Sequence, residues 1–279
     1  MTDGLEPLLL VPDCHIPYED ARAFELLLAV GKALKPTHLI CIGDFVDFYA
    51  VSAHSKDPTR ASQLTTELRA AEARLDQLDA LGATHKTYIA GNHEDRLQRY
   101  LQDKAPELFD LIRVPDLLRL TARGWDYVPY RQHTKLGKLH FTHDVGVAGR
   151  TAVYRCLDTY QHSNITGHTH RLGYIVEGNA LGEFKLSAQF GWLGDADRVD
   201  YLQRAKVLKD WALGFGVGYY HRTTGYVYVT PVPIVNYTCV VNGRLYGQAH
   251  RSDRVARRAR SRRQVDRRRR RGSLREHAL

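Results

Sequence analysis

One pattern constrains this chain more than any other: short apolar runs that end at once in polar clusters. Residues 8–11 run into Asp13-Cys14-His15, 38–42 into Gly43-Asp44, and 87–90 into Gly91-Asn92-His93. Residues 139–142 end at His143, and Ile165 leads into Gly167-His168. Runs this short and continuous suit strands covered on both faces, although periodicity alone also admits a buried helix. A chain built this way needs a second layer on each side of a sheet, and its chemistry gathers at the strand ends.

Helical patterns lie between the runs. Leu64, Leu68, Ala71, Leu75, Leu78 and Leu81 step by three or four residues, which places one apolar stripe toward a sheet. Residues 21–34 read the same way and stop before Pro36. Alternating strands and helices predict a layered α/β domain, in which ligands gather beyond the carboxyl ends of the strands. Residues 97–120 read as a helical insert broken by Pro106 and Pro115. Residues 225–235 and 237–246 are rich in Val and Tyr, and Asn242-Gly243 signals a type I′ hairpin. Strands there are expected to close a second sheet.

Of the 279 residues, 43% are hydrophobic, enough for one large domain, expected over 1–249. The net charge of +9 is unevenly placed. Residues 250–279 hold thirteen Arg against Asp253, Asp266 and Glu276, whereas 1–249 carry 27 basic and 28 acidic residues. The basicity is a tail on a near-neutral body, expected to be disordered or to fold only when bound. No run approaches the roughly 18 apolar residues of a membrane span. With no secretory pattern at the start either, a cytoplasmic location without a membrane partner is expected. Cys14, Cys41, Cys156 and Cys239 are scattered without a C-x-x-C pair, so they read as small buried hydrophobes.

The polar clusters supply carboxylate, amide and imidazole groups, a mixture that suits divalent Mn, Fe, Zn or Co. Asp13 and His15, like His168 and His170, stand two apart and share a face on a chain leaving a strand. The glycines before Asp44, Asn92 and His168 are expected to permit tight turns.

The ordered blocks D-x-H, G-D-x-x-D, G-N-H-E, H and G-H-x-H resemble the calcineurin-like metallophosphoesterase superfamily, over roughly residues 8–172. Residues 43–58 and 211–215 also resemble its phage and prophage members. The resemblance implies a four-layer αββα sandwich and two divalent ions, manganese first, with iron, zinc, cobalt or nickel as alternatives. It implies that Asp13, His15 and His170 hold one ion, that Asn92, His143 and His168 hold the other, and that Asp44 bridges them. His93 would act beside the metals, and Asp47 would orient it through a carboxylate–imidazole hydrogen bond.

Two departures qualify the match. Phosphoprotein phosphatases of this superfamily place Arg-Gly after the second block, whereas Phe48-Tyr49 stands here, which argues against that substrate class. Asp144 follows His143 where many members have Gly, and His140 lies close enough in sequence to compete for the same role. Arg96, Arg171 and His54, the last with Lys56 and Arg60, are candidate contacts to a substrate phosphate. Glu94 and Asp95 read as supporting or surface groups, and His38, His85, His133, His162 and His221 as structural. Trp192, Trp211 and Phe215 read as a packed lid or core more than as a platform for stacking bases.

The expected activity is hydrolysis of a phosphate ester, leaning to a nucleic-acid phosphodiester or end phosphate. Nucleic acid is the expected partner of the tail, through sequence-independent contacts. A small-molecule phosphomonoesterase or nucleotide phosphodiesterase is one alternative. A nucleic-acid-binding protein with a vestigial phosphoesterase core is the other.

Overall fold

The computed structural model describes residues 4–53, 63–199 and 210–248. Its first half alternates as the apolar runs require. The order is β1 (Leu5–Val11), α1 (Ala21–Leu34), β2 (His38–Cys41), α2 (Leu64–Asp79), β3 (His85–Ile89), α3 (Asp95–Lys104), α4 (Val114–Leu117) and β4 (Trp125–Val128). The rest is mostly strand: β5 (Thr134–Leu136), β6 (Leu139–Phe141), α5 (Ala152–Tyr160), β7 (Asn164–Ile165), β8 (Leu172–Gly178) and β9 (Phe184–Phe190). β10 (Gly214–His221), β11 (Val227–Pro233), β12 (Thr238–Val241) and β13 (Arg244–Gly247) complete it.

Local chemistry sets the helix ends. The Asp20 carboxylate accepts from the backbone N–H of Arg22 (3.0 Å) and of Ala23 (3.1 Å), capping α1. At its other end Lys35 turns into the left-handed region at φ 51°, one residue before Pro36. Between 97 and 120 the two prolines divide the chain into α3, a 3-10 turn at Pro106–Leu108 and α4, with Pro115 in the first turn of α4.

Two sheets stack. The first has the order β11-β10-β1-β2-β3-β4, with β1 to β4 parallel and β10 and β11 antiparallel. The second has the order β5-β6-β7-β9-β8. Alternation along β1 shows why its run is wholly apolar. Leu8 and Leu10 join Ile40, Ile42 and Ile89 against Phe141, Ile165 and Phe190 of the second sheet. Leu9 and Val11 face the other way, into Phe24, Leu27, Ala71 and Leu75 of α1 and α2. With α5 against β8 and β9 on the far side, the chain forms the expected α-β-β-α layers.

The C-terminal strands depart from expectation. β11 joins the first sheet through β10, and β12–β13 form a separate ribbon against α1. The second sheet is instead completed by β8 and β9. The turn itself is as read, with Asn242 at φ 50° and Gly243 at φ 74°, but turn chemistry fixes a hairpin and not its docking partner. All four cysteines are buried and free. Among the described residues no helix is long and apolar enough to cross a membrane.

Candidate metal centre

The polar clusters meet beyond the carboxyl ends of strands from both sheets. Asp13, Asp44 and Asn92 follow β1, β2 and β3, while His143, His168 and His170 follow β6 and β7. Among the described residues three groups of potential ligands form, Asp13-His15-Asp44-His170, Asp44-His143-His168 and His15-Asp47-His93, and Asp44 belongs to the first two.

In the first group Asp13 Oδ2 lies 3.1 Å from His170 Nε2, and the Nε2 atoms of His15 and His170 are 3.0 Å apart. His15 Nδ1 is 3.0 Å from Asp47 Oδ2, which fixes the proton there and leaves the Nε2 lone pair facing inward. Asp13 Oδ1 is buried without a hydrogen-bond partner among the described residues. In the second group His143 Nδ1 donates to Ile42 O at 2.8 Å, so its Nε2 also faces inward, 3.3 Å from Asp44 Oδ2. Asn92 Oδ1 lies 3.1 Å from His143 Nε2 and 2.8 Å from His168 Nδ1. A buried carboxylate oxygen without a partner among the described residues, and lone pairs converging from opposed imidazoles, fit a cation better than they fit one another.

The charges answer the crowding. Burial pushes the Asp13 carboxyl up, but the hydrogen bond and charge of His170 bring it below its ordinary value. Asp44 is buried too, and His143 and His93 hold it well below the carboxylate range. Burial opposes a charge on His143, yet the Asp44 carboxylate pushes it up to about 10. Burial holds His15 and His170 below the ordinary imidazole value. A bound cation would displace the proton of His143, as metal binding to imidazole generally does.

Backbone conformation aims these groups. His15, Asp44, His168 and His170 all take positive φ, at 53°, 48°, 66° and 57°. Strand alternation therefore does not explain why Asp13 and His15, or His168 and His170, point together; left-handed turns at the strand ends do. Non-glycine residues pay roughly 1–2 kcal/mol each for that conformation, and such strain concentrates at functional sites. Of the three glycines expected to make tight turns, only Gly43 has a positive φ, at 98°. Gly91 and Gly167 are needed for room, since a Cβ would fall on Asp44 Oδ1 at the first and on Asp13 Oδ1 at the second.

Asp47 sits between His15 and His93, with Oδ2 3.0 Å from His15 Nδ1 and 3.2 Å from His93 Nδ1. Burial pushes the Asp47 carboxyl up, but the charge of His93 and the hydrogen bonds of His15 and His93 hold it far below its ordinary value. Arg96 reaches into the same place from α3. Its Nη1 donates to Asp47 Oδ1 (2.9 Å) and Asp47 O (2.8 Å), and its Nη2 donates to His93 Nε2 (2.9 Å). An arginine thus stands beside Asp47 although the second block lacks one. Burial disfavours a second proton on His93, yet the carboxylates of Asp44 and Asp47 raise its affinity for one.

His143 joins the centre, whereas His140 turns away to His133, His162 and Tyr160, at 5.8, 5.5 and 5.4 Å between ring centres. Trp192 stacks on His170 at 4.8 Å, Trp211 meets it edge-on at 4.2 Å, and Phe215 is buried, which makes these aromatics a wall. Arg171 bonds Asp210 and Thr169 O at the rim. His54, Lys56 and Arg60 lie outside the described residues, as does the tail from 250 to 279.

Two buried acids support the centre from behind, Glu94 as one of the supporting groups expected from the sequence and Glu67 as one that was not. Glu94 accepts from the N–H of Asp44 (3.0 Å), Val46 (3.0 Å) and Gly91 (2.7 Å) and from Tyr88 Oη (2.8 Å), tying the second and third blocks together. Burial and the charge of Asp44 hold its carboxyl above the ordinary value. Glu67 accepts from the N–H of Tyr49 and Ala50, both at 2.9 Å, anchoring the loop after Asp47 to α2. A signal existed for Glu67, an acid in line with Ala71, Leu75 and Leu78 on the buried stripe of α2.

The model of the calcineurin-like phosphoesterase family matches residues 6–223. No curated protein sequence matches the chain. Among solved structures, vacuolar protein sorting 29 from Cryptosporidium parvum is 17% identical, covering 87% of this chain and 95% of its own, with a TM-score of 0.44. Wild-type Vps29 complexed with zinc, from Entamoeba histolytica, is 13% identical over 86% and 95% of the two chains, with a TM-score of 0.42. The phosphoesterase YfcE from E. coli is 12% identical over 77% and 91%, with a TM-score of 0.36.

Proposed function

Since the chain belongs to the calcineurin-like phosphoesterase family, whose members bind divalent metals, we propose that it hydrolyses phosphate esters at a two-metal centre. The observation that carries this reading is Asp44 Oδ2, which faces His143 Nε2 at 3.3 Å and His15 Nε2 at 3.9 Å and so belongs to the first two ligand groups. Asp13, His15 and His170 would hold one ion, Asn92, His143 and His168 the other, and Asp44 would join them. Bound there, two divalent ions would activate water as a nucleophile and neutralise charge on the phosphate oxygens.

The chain's own groups do the rest. His93 Nε2 lies 3.8 Å from Asp44 Oδ2, at the edge of the centre, where, once released by Arg96 and with the ring doubly protonated, it would give its Nε2 proton to a leaving oxygen. Asp47 holds His93 and His15 in register, and Arg96 competes for His93 Nε2 until a phosphate draws its guanidinium away. The wall of Trp192 and Trp211 against His170 keeps bulk water from one side. No covalent enzyme intermediate is needed. Exhaustive chelation should abolish hydrolysis of nitrophenyl phosphates and Mn²⁺ should restore it; activity that survives chelation would refute the reading.

For substrate we favour a nucleic-acid phosphodiester or end phosphate. The support is residues 250–279, thirteen Arg against three acids, which would concentrate polyanions near the centre by tethering. No aromatic residue interrupts those arginines, so base stacking plays no part and contact should be independent of sequence. Deleting 250–279 should weaken binding of single- and double-stranded DNA at low salt by roughly 10-fold or more while leaving bis(nitrophenyl) phosphate hydrolysis unchanged. Unchanged DNA binding would break the link, and a clear preference for monoesters would move the reading to a small-molecule phosphomonoesterase.

A further inference from the structure

Two arginines at the rim of the centre close on one carboxylate. Arg171, which follows His170, donates from Nη2 to Asp210 Oδ1 at 2.6 Å. Arg150, on the loop after His143, donates from Nε to Asp210 Oδ2 at 3.1 Å. Asp210 precedes Trp211, whose ring centre lies 4.2 Å from that of His170, so the cluster borders the metal site. Arg171 Nη1 donates to Thr169 O at 3.2 Å, while its Nε is buried and has no acceptor among the described residues. A guanidinium fork normally grips one anion with two parallel bonds, and here only one prong meets Asp210.

We propose that Asp210 occupies the seat of a second substrate phosphate, next to the one hydrolysed, and that a substrate anchored at the centre displaces it. This rests on the phosphoesterase reading above. A carboxylate has two oxygens in a plane, and each already serves a different arginine. A phosphate offers its oxygens in a tetrahedron and can meet the Nε that lacks an acceptor among the described residues as well as the donors now on Asp210. The Arg150–Asp210 pair is weakly held, with side chains 85% and 37% exposed, and the shorter Arg171–Asp210 bond is itself open to solvent, with Arg171 23% exposed, so both can be exchanged for a phosphate. Free phosphate must still compete with a carboxylate tethered on its own chain. A phosphate tethered through a neighbouring group bound at the metals meets it on equal terms. The seat therefore selects substrates with successive phosphates, such as polynucleotides, over isolated monophosphates.

The test measures binding of two probes to the metal-loaded full chain by calorimetry, thymidine 3′,5′-bisphosphate and thymidine 5′-monophosphate. The wild type should prefer the bisphosphate, and Asp210→Asn should raise that preference roughly tenfold by removing the competing charge. Arg171→Ala should bring the preference close to one, with Arg171→Lys recovering part of it. Asp210→Ser serves if the asparagine variant misfolds by circular dichroism. A preference that falls or stays constant in the Asp210 variants, or persists in Arg171→Ala, overturns the seat. Wild-type protein that prefers the bisphosphate yet hydrolyses no ester removes the proposed activity and leaves the seat standing. Protein that hydrolyses esters without the preference does the reverse.

Discussion

Asp44→Asn is expected to lower turnover of a phosphate diester by roughly 10³-fold or more and to reduce bound metal measured by mass spectrometry. The substitution keeps the shape and removes the charge that the first two ligand groups share. Asp44 Oδ1 accepts from the backbone N–H of His93 at 2.8 Å, and Oδ2 faces the inward nitrogens of His143 and His15. An amide turned to preserve the bond from His93 would aim its NH₂ at the metals, and the opposite flip would set two donors against each other. Removal of the carboxylate also leaves His143 without the partner that raises its proton affinity. The fold itself should persist. Wild-type turnover and full metal content in this variant would end the two-metal proposal.

Glu94→Gln should act on stability instead, lowering the folding free energy by about 3 kcal/mol and the melting temperature by roughly 6–12 °C in calorimetry. The carboxylate receives two donors on each oxygen, Val46 N–H and Tyr88 Oη on Oε1, and Asp44 N–H and Gly91 N–H on Oε2. Glutamine keeps one acceptor oxygen, so in either orientation its NH₂ confronts two donors. Tyr88 can rotate its hydroxyl to accept, whereas a backbone N–H cannot. At least one buried N–H is left unpaired, at about 1–3 kcal/mol, and the charge assistance of the others is lost. A change of less than about 1 kcal/mol would mean that a protonated, neutral Glu94 already fills this position.

Much of this architecture is legible in the chain because burial on two faces leaves a distinctive trace. Leu8 to Val11 can be wholly apolar only if layers lie on both sides, and the polar residue that ends each run marks a strand end. The convergence of Asp13, Asp44, Asn92, His143 and His168 follows from that order. What was not legible depends on geometry that sequence spacing does not encode. Arg96 lies 49 residues from Asp47 yet supplies a guanidinium to it, through the position of α3. Positive φ at His15 and His170 leaves no compositional mark, because histidine is not glycine. The docking of β11 on β10 rather than on the second sheet is a long-range choice between two exposed edges, and alternation looks alike for either.

The ligands descend from two sheets, and the layer between those sheets thereby becomes a spacer for the chemistry. Ile42 immediately precedes Gly43-Asp44, Phe141 stands two residues before His143, and Ile165 three before His168, and all three are buried in that layer. Stacked sheets stand roughly 10 Å apart, a separation set by the side chains that interdigitate between them. Adding or removing a methylene there changes how the Asp44 edge of the site faces the His143 edge. Reaction geometry tolerates little such displacement, about 1 Å costing on the order of 10²-fold. Under the proposed activity, interior residues that touch neither metal nor substrate would be held to the tolerances of an active site, and a change in the core would be registered first as lost rate and only later as lost fold.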